Sequence, residues 1–171
     1  MRLPDYLDDY RPNVGICLFN ASGQVWVGER AKSAGTLEGQ GEFAWQFPQG
    51  GIDRDEDLIP AAMRELMEET GVSSVRLLAI TPGWLLYDFP DGVQRKKGRN
   101  WRGQKQKWVA MLFTGEDGEV DLFADDHVEF QDWRWEELED VPALVVPFKR
   151  GIYDEIVEAF LPLRDFLRDQ A

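Results

Sequence analysis

The chain has 171 residues, 43% of them apolar and 30% charged, which is a globular composition at the length of one domain, residues 1–171. Its net charge of −13 argues against a protein that coats nucleic acid generally, and no run approaches the roughly 18 apolar residues of a membrane span. The opening MRLPDYLDDYRPN lacks the apolar core of a secretion signal, and Cys17 is the only cysteine, so a cytoplasmic chain without internal disulfides is expected.

Taken in chain order, Val14–Phe19 and Gln24–Arg30 are β-prone runs joined by Asn-Ala-Ser-Gly, which predicts a hairpin with a four-residue loop. Cys17 sits inside the first run and is expected to be a buried structural thiol. Residues 31–42 are small and polar and predict a loop. Trp45–Phe47 predicts a short strand leading into Pro48-Gln49-Gly50-Gly51, a turn by composition. Asp57–Thr70 predicts a helix with Asp57 as N-cap, Pro60 tolerated in the first turn and Gly71 as the terminating glycine. Val75–Thr81, Trp84–Phe89, Lys107–Thr114 and the short Trp133–Trp135 read as strands, and Phe148–Phe160 and Leu163–Arg168 as helices. The order predicts an α/β protein, a mixed β-sheet sandwiched between α-helices.

Charge is unevenly placed. No acidic residue falls between Gly92 and Gly115, where Arg95, Lys96, Lys97, Arg99, Arg102, Lys105 and Lys107 lie, so a polyanion would meet the molecule in one place only. The opposite holds on the helix of residues 57–70. At about 100° per residue, Glu65, Glu68 and Glu69 share an arc of about 100°, beside an apolar face of Ile59, Ala62, Met63 and Leu66. Carboxylates packed this densely repel one another, and an all-oxygen cluster suits Mg²⁺ or Mn²⁺. The single histidine, His127, rules out a His-rich site. Arg64 is placed to reach back to Glu56 and offset part of the negative charge. From charge alone, a solvated acidic helix face remains the plainer reading.

The full pattern over residues 50–72, G-x5-E-x7-R-E-L-x-E-E-x-G-V, resembles the Nudix box at every fixed position, from Gly50 through Glu56, Arg64, Glu65, Leu66, Glu68 and Glu69 to Gly71 and Val72. That resemblance implies the Nudix fold, hydrolysis of phosphoanhydrides, and metal ligation by Glu65, Glu68, Glu69 and the Gly50 carbonyl, with Glu56 and Arg64 as a structural pair. Segments outside the box, YRPNVG at 10–15, WQFPQGG at 45–51, GQKQKW at 103–108, FQDWRW at 130–135 and VVPFKR at 145–150, resemble the bacterial RNA pyrophosphohydrolases. That group merges with the dinucleoside polyphosphate hydrolases, and the likeness runs from about Tyr10 to Phe160.

The resemblance further implies that Glu129 reaches the metals from outside the helix, and that Arg11, Arg30, Lys105 and Lys107 hold the phosphate chain. Val146, Phe148 and Lys149 would bind a base, with Tyr87 lining the cleft. Two or three Mg²⁺ ions would activate a water, and Glu65 or Glu129 would take its proton, with Glu69 in the same catalytic group; residue types leave the base undecided. Two departures from the family pattern stand out, a longer glycine-rich loop at Ala31–Glu42 and a more basic Gln94–Arg102. The expected function is removal of pyrophosphate from 5′-triphosphorylated RNA, a step in mRNA decay. The alternatives are cleavage of diadenosine tetraphosphate to ATP and AMP, and a catalytically silent nucleotide sensor, which would be expected to carry a broken box. Whether a protein partner stimulates the enzyme is left open by the sequence.

Overall fold

The alternation of apolar residues along the first and seventh strands sets the architecture. In the computed structural model, which describes residues 5–32, 43–91 and 100–171, β1 (Tyr10–Phe19) runs parallel to β7 (Gly103–Phe113) in unbroken register from Tyr10 opposite Gly103 to Phe19 opposite Leu112. Even-numbered residues of β1 and odd-numbered residues of β7 (Val14, Ile16, Leu18, Val109, Met111) pack with Trp26 against one helix, α1 (Leu58–Thr70), through Ala61, Ala62 and Leu66. The alternate residues (Cys17, Phe19, Trp108, Ala110) pack against the other, α2 (Arg150–Gln170), through Ile152, Tyr153, Ile156 and Phe160. Both faces of the sheet are therefore covered, which is why these two strands read as nearly continuous apolar runs.

The remaining strands are β2 (Val25–Arg30), β3 (Trp45–Gln46), β4 (Gln49–Gly51), β5 (Val75–Ile80), β6 (Leu85–Asp88) and β8 (Phe130–Glu136). The sheet runs β3-β2-β1-β7-β5, with β8 on β2, β4 on β1 and β6 on β7. It is mixed, since only the β1–β7 pair is parallel among the pairings described. β1 and β2 share register only at the hairpin, Phe19 opposite Val25, and then diverge. Residues 45–51 cross the gap, β3 pairing with β2 and β4 with β1. This split in the sheet positions the site.

Three expectations require correction. Pro48–Gly51 was expected as a turn, yet Gln49–Gly51 form β4, because β1 offers them an unpaired edge where β2 has turned away. The two C-terminal helices are one, α2, continuous through Pro162, held by burial of Ile156, Phe160 and Leu167. β1 and β7 each begin earlier than their apolar runs, at Tyr10 and Gly103, because the parallel ladder continues through polar residues. The first hairpin loop has the expected Asn20–Gly23, joined by Gln24, with Gly23 at φ +76° and the Asn20 side chain accepting from the Ser22 and Gln24 amides. α1 ends as expected at Gly71, φ +73°, whose N–H donates to the Met67 carbonyl. Cys17 is buried, and burial pushes its thiol well above its ordinary pKa. Among the described residues no helix is long and apolar enough to cross a membrane. Most of the glycine-rich loop (33–42) and Arg95, Lys96, Lys97 and Arg99 lie outside the described residues.

Candidate active site

β4 and α1 meet at the sheet split. The Glu69 carboxylate accepts the Gln49 amide N–H at 3.1 Å, and a Cβ placed on Gly50 would stand 1.9–2.2 Å from the Glu65 carboxyl atoms. Only a glycine lets the helix lay that carboxylate on the strand backbone. Both glutamates are buried, while Glu68 on the same arc keeps 43% of its side chain exposed. Burial raises the pKa of Glu65, partly offset by Arg64. It raises Glu69 much further, and the nearby charges of Glu129 and Glu65 add to the shift. The buried carboxylates are thus electrostatically strained, as the helical arc predicts.

Arg64 supports the group from one side. Its Nε and Nη2 make a fork to the two Glu56 oxygens at 2.8 and 2.9 Å, and Nη2 also donates to the Gly51 carbonyl at 2.9 Å. Nη1 reaches Glu65 at 2.8 Å and Glu68 at 3.4 Å. The guanidinium, helped by the Asp53 backbone N–H, holds the Glu56 carboxyl at about 2. On the other side, Glu129 pairs with the buried Arg30, and His127, whose side chain is 75% exposed, stands 3.6 Å from the second Glu129 oxygen. Sequence reasoning did not place His127 near this carboxylate, although two-residue spacing in a loop was a signal available to it.

The donor set fits a hard divalent cation: carboxylate oxygens, two of them buried and repelling each other, beside a backbone carbonyl strand. As the side chains stand, no three acidic groups among the described residues gather closely enough to enclose an ion; Arg64 engages Glu65 and Glu68, and Arg30 engages Glu129.

The expected substrate residues divide between the faces of β7. Tyr87 lies opposite Gln104 across the β6–β7 pair, and its ring stands 5.9 Å from that of Phe148. Val146 and Phe148 pack on the same side, against the α2-face core. Lys149 is 1% exposed, with its Nζ 3.5 Å from the Gln46 side-chain oxygen. Arg11 is exposed, and its guanidinium lies against Gly51, with Nη2 2.6 Å from where a Cβ would stand. Lys105 and Lys107 have the parity of Val109 and Met111, so they project to the α1 face, away from the Tyr87–Phe148 group. Each holds its ammonium over Trp84, at 5.4 and 5.7 Å from the ring centre.

Between these groups lies a buried amide network that sequence reasoning missed. The Gln106 Nε2 stands within hydrogen-bond distance of oxygens on Gln104 (3.0 Å), Asn13 (3.2 Å) and Gln49 (3.4 Å), while its own Oε1 accepts the Trp108 indole N–H. Polar residues alternating with lysines in GQKQKW were the signal, but which face they lined required the β1–β7 register.

The NUDIX domain family matches residues 9–156. An RNA pyrophosphohydrolase of Caulobacter vibrioides is 54% identical over 153 residues, covering 88% of this chain and 86% of that one. One of Acidiphilium cryptum is 48% identical over 151 residues, covering 88% and 90%. Among solved structures, the E. coli dihydroneopterin triphosphate pyrophosphohydrolase superposes with a TM-score of 0.65 at 15% identity, over 88% of this chain and 98% of that one. A C. elegans Ap4A hydrolase superposes with a TM-score of 0.59 at 20% identity, over 88% and 98%. The carboxylate helix, the glycine strand that receives it and the likeness across the chain agree: this protein belongs to the NUDIX family, alongside the relatives named RNA pyrophosphohydrolase.

Proposed function

We propose that this Nudix pyrophosphohydrolase removes pyrophosphate from 5′-triphosphorylated RNA, leaving a 5′-monophosphate. The observation that carries the reading is the pair of buried, mutually repelling carboxylates, Glu65 and Glu69, laid on the Gly50 strand within a chain 54% identical to a named RNA pyrophosphohydrolase. Residues 1–171 act as one Nudix unit, and the lone buried Cys17 suits a reducing, cytoplasmic setting.

Glu65, Glu68, Glu69, Glu129 and the Gly50 carbonyl would hold Mg²⁺, two or three ions, with Mn²⁺ or a similar cation as a substitute. Bound there, the metal would lower the pKa of a water and offset charge on the phosphates. Arg64 fixes the Glu56 loop and the Gly51 carbonyl, so the strand and helix keep their spacing while the carboxylates engage. Glu65 or Glu129 takes the proton from the attacking water. Both are candidates because each lies near enough to Glu69 for its charge to raise that carboxyl's pKa. Arg11 and Arg30 supply donors for the oxygens of the 5′ triphosphate, and Lys105 and Lys107 for phosphates of the attached chain. Phe148, Tyr87, Val146 and Lys149 receive the base.

The test compares hydrolysis of triphosphorylated RNA with that of diadenosine tetraphosphate. Faster Mg²⁺-dependent turnover of the RNA supports the reading. A strong preference for the dinucleotide, the substrate for which the C. elegans fold neighbour is named, would favour the alternative of dinucleoside polyphosphate hydrolysis. No turnover of either would leave a nucleotide-sensing role.

A further inference from the structure

Trp84, which the proposed catalytic arrangement does not use, forms a cluster with the phosphate-binding candidates Lys105 and Lys107. Trp84 is partly exposed at the start of the β6 segment, and two ammonium groups share its ring. Lys105 is only 6% exposed, yet among the described residues neither lysine is ion-paired to a carboxylate. The only hydrogen bond described for either is from the Lys107 Nζ to the Pro82 carbonyl at 3.4 Å. In a chain of net charge −13, two adjacent cations with no carboxylate ion pair among the described residues are a local exception. Holding them side by side costs mutual repulsion, which the ring's negative face offsets in part and an anion would offset further. The ligand such a group fits is one that alternates phosphate and aromatic base, a single-stranded nucleic acid.

Its position says which part of that ligand. Trp84, which immediately precedes β6, stands with Lys105 and Lys107 on the α1 side, and Tyr87, within β6, stands with Phe148 on the α2 side. β6 is four residues long and pairs only with β7 among the strands described. A chain whose first bases occupy the Tyr87–Phe148 group can pass over this short edge and reach the lysines. We propose that Trp84, Lys105 and Lys107 make a second RNA contact, which seats phosphates and a base of the chain a few nucleotides downstream of its 5′ end. The proposal deepens the RNA reading above and rests on it for which RNA is bound. It makes Trp84 a determinant of substrate length.

The experiment uses the full chain and single-stranded RNA of about ten nucleotides with a 5′-hydroxyl, within the range of a single-strand site. Such RNA cannot be turned over, so binding is read independently of hydrolysis. Trp84→Leu is expected to weaken binding by about ten-fold through loss of stacking, and Trp84→Phe to restore most of it. The double variant Lys105→Met/Lys107→Met should lower the slope of log affinity against log salt by about 1.4, two phosphates at about 0.7 each. On triphosphorylated substrates, the ratio of kcat/KM for long RNA to that for a dinucleotide should fall in Trp84→Leu through KM and recover in Trp84→Phe. If Trp84→Leu does not fold, the salt slope of the double variant carries the test. The proposal is overturned if wild type does not bind the 5′-hydroxyl RNA, if the slope is unchanged, or if long and short substrates lose equally. Failure of the pyrophosphohydrolase reading would look different: triphosphorylated RNA would not be hydrolysed, whatever the 5′-hydroxyl chain does.

Discussion

Replacing Gly50 by alanine separates catalysis from stability, because of what its Cβ would meet. The new atom would stand 1.9 Å from the Glu65 carboxyl carbon, where ordinary contact begins near 3.4 Å, so the carboxyl group must move by more than 1 Å. Its neighbour is the far end of a flexible side chain, and Gly50 is not among the glycines with positive φ, so alanine meets no backbone strain. The stability loss should sit at the low end for overpacking, about 1 kcal/mol, or roughly 2–4 °C in melting temperature for a chain of this size. Misplacing a catalytic group by about 1 Å costs on the order of 100-fold, so kcat on triphosphorylated RNA should fall by about that factor while the protein stays folded. The assay is phosphate release at saturating RNA and Mg²⁺, with a thermal melt on the same preparation. A Gly50→Ala protein with wild-type kcat would show that the Glu65 carboxylate does not work from its place on β4. Unfolding at room temperature would show that the strand is packed more tightly than this geometry.

Other outcomes follow from the same geometry. Glu69→Gln removes a buried charge that Glu129 and Glu65 oppose, so it should leave the melting temperature unchanged or higher while activity falls about 10²- to 10³-fold, as for loss of one preorganised electrostatic group. Mg²⁺ at about 100 times its Kd should stabilise wild type by about 2.7 kcal/mol, and that shift should vanish in Glu69→Gln; an equal shift in both would place the ion elsewhere. The Glu56 carboxyl, held near 2 by Arg64 against an ordinary value of 4.5, stabilises the fold fully above about pH 4.5 and loses that contribution as pH falls toward 2. Melts of wild type and Glu56→Gln should therefore differ at pH 7 and converge only as pH approaches 2; a constant gap would refute the pairing. Gln106→Leu strands the Trp108 indole N–H and the amide oxygens around it, costing about 1–3 kcal/mol, read as a lower melting temperature; an unchanged melt would mean the network is not a buried requirement.

The carboxylate helix was legible because its chemistry is local. Residues three and four apart on a helix share a face whatever the helix packs against, so Glu65, Glu68, Glu69 and the apolar stripe could be placed before the fold was known. The terminating Gly71 was legible for the same reason, and the Arg64–Glu56 contact joins residues only eight apart in sequence. β4 was not legible, because Gln49–Gly51 has the composition of a turn and becomes a strand only where β1 and β2 part. The single C-terminal helix was hidden by Pro162, whose local cost is outweighed by the apolar side chains α2 buries against the sheet.

The sequence by itself determined the kind of chemistry: a spacing of carboxylates, glycines and one arginine that holds over a few helical turns. Only the tertiary structure decided which cations and aromatics act together. That depends on the β1–β7 register, where a shift of one residue would exchange the two faces. In the register observed, Gln104 and Gln106 face α2 with the Tyr87–Phe148 group, while Lys105 and Lys107 turn to Trp84 on the α1 side. Strand pairing over long sequence separations is set by packing of the whole core, and GQKQKW read alone carries no record of it.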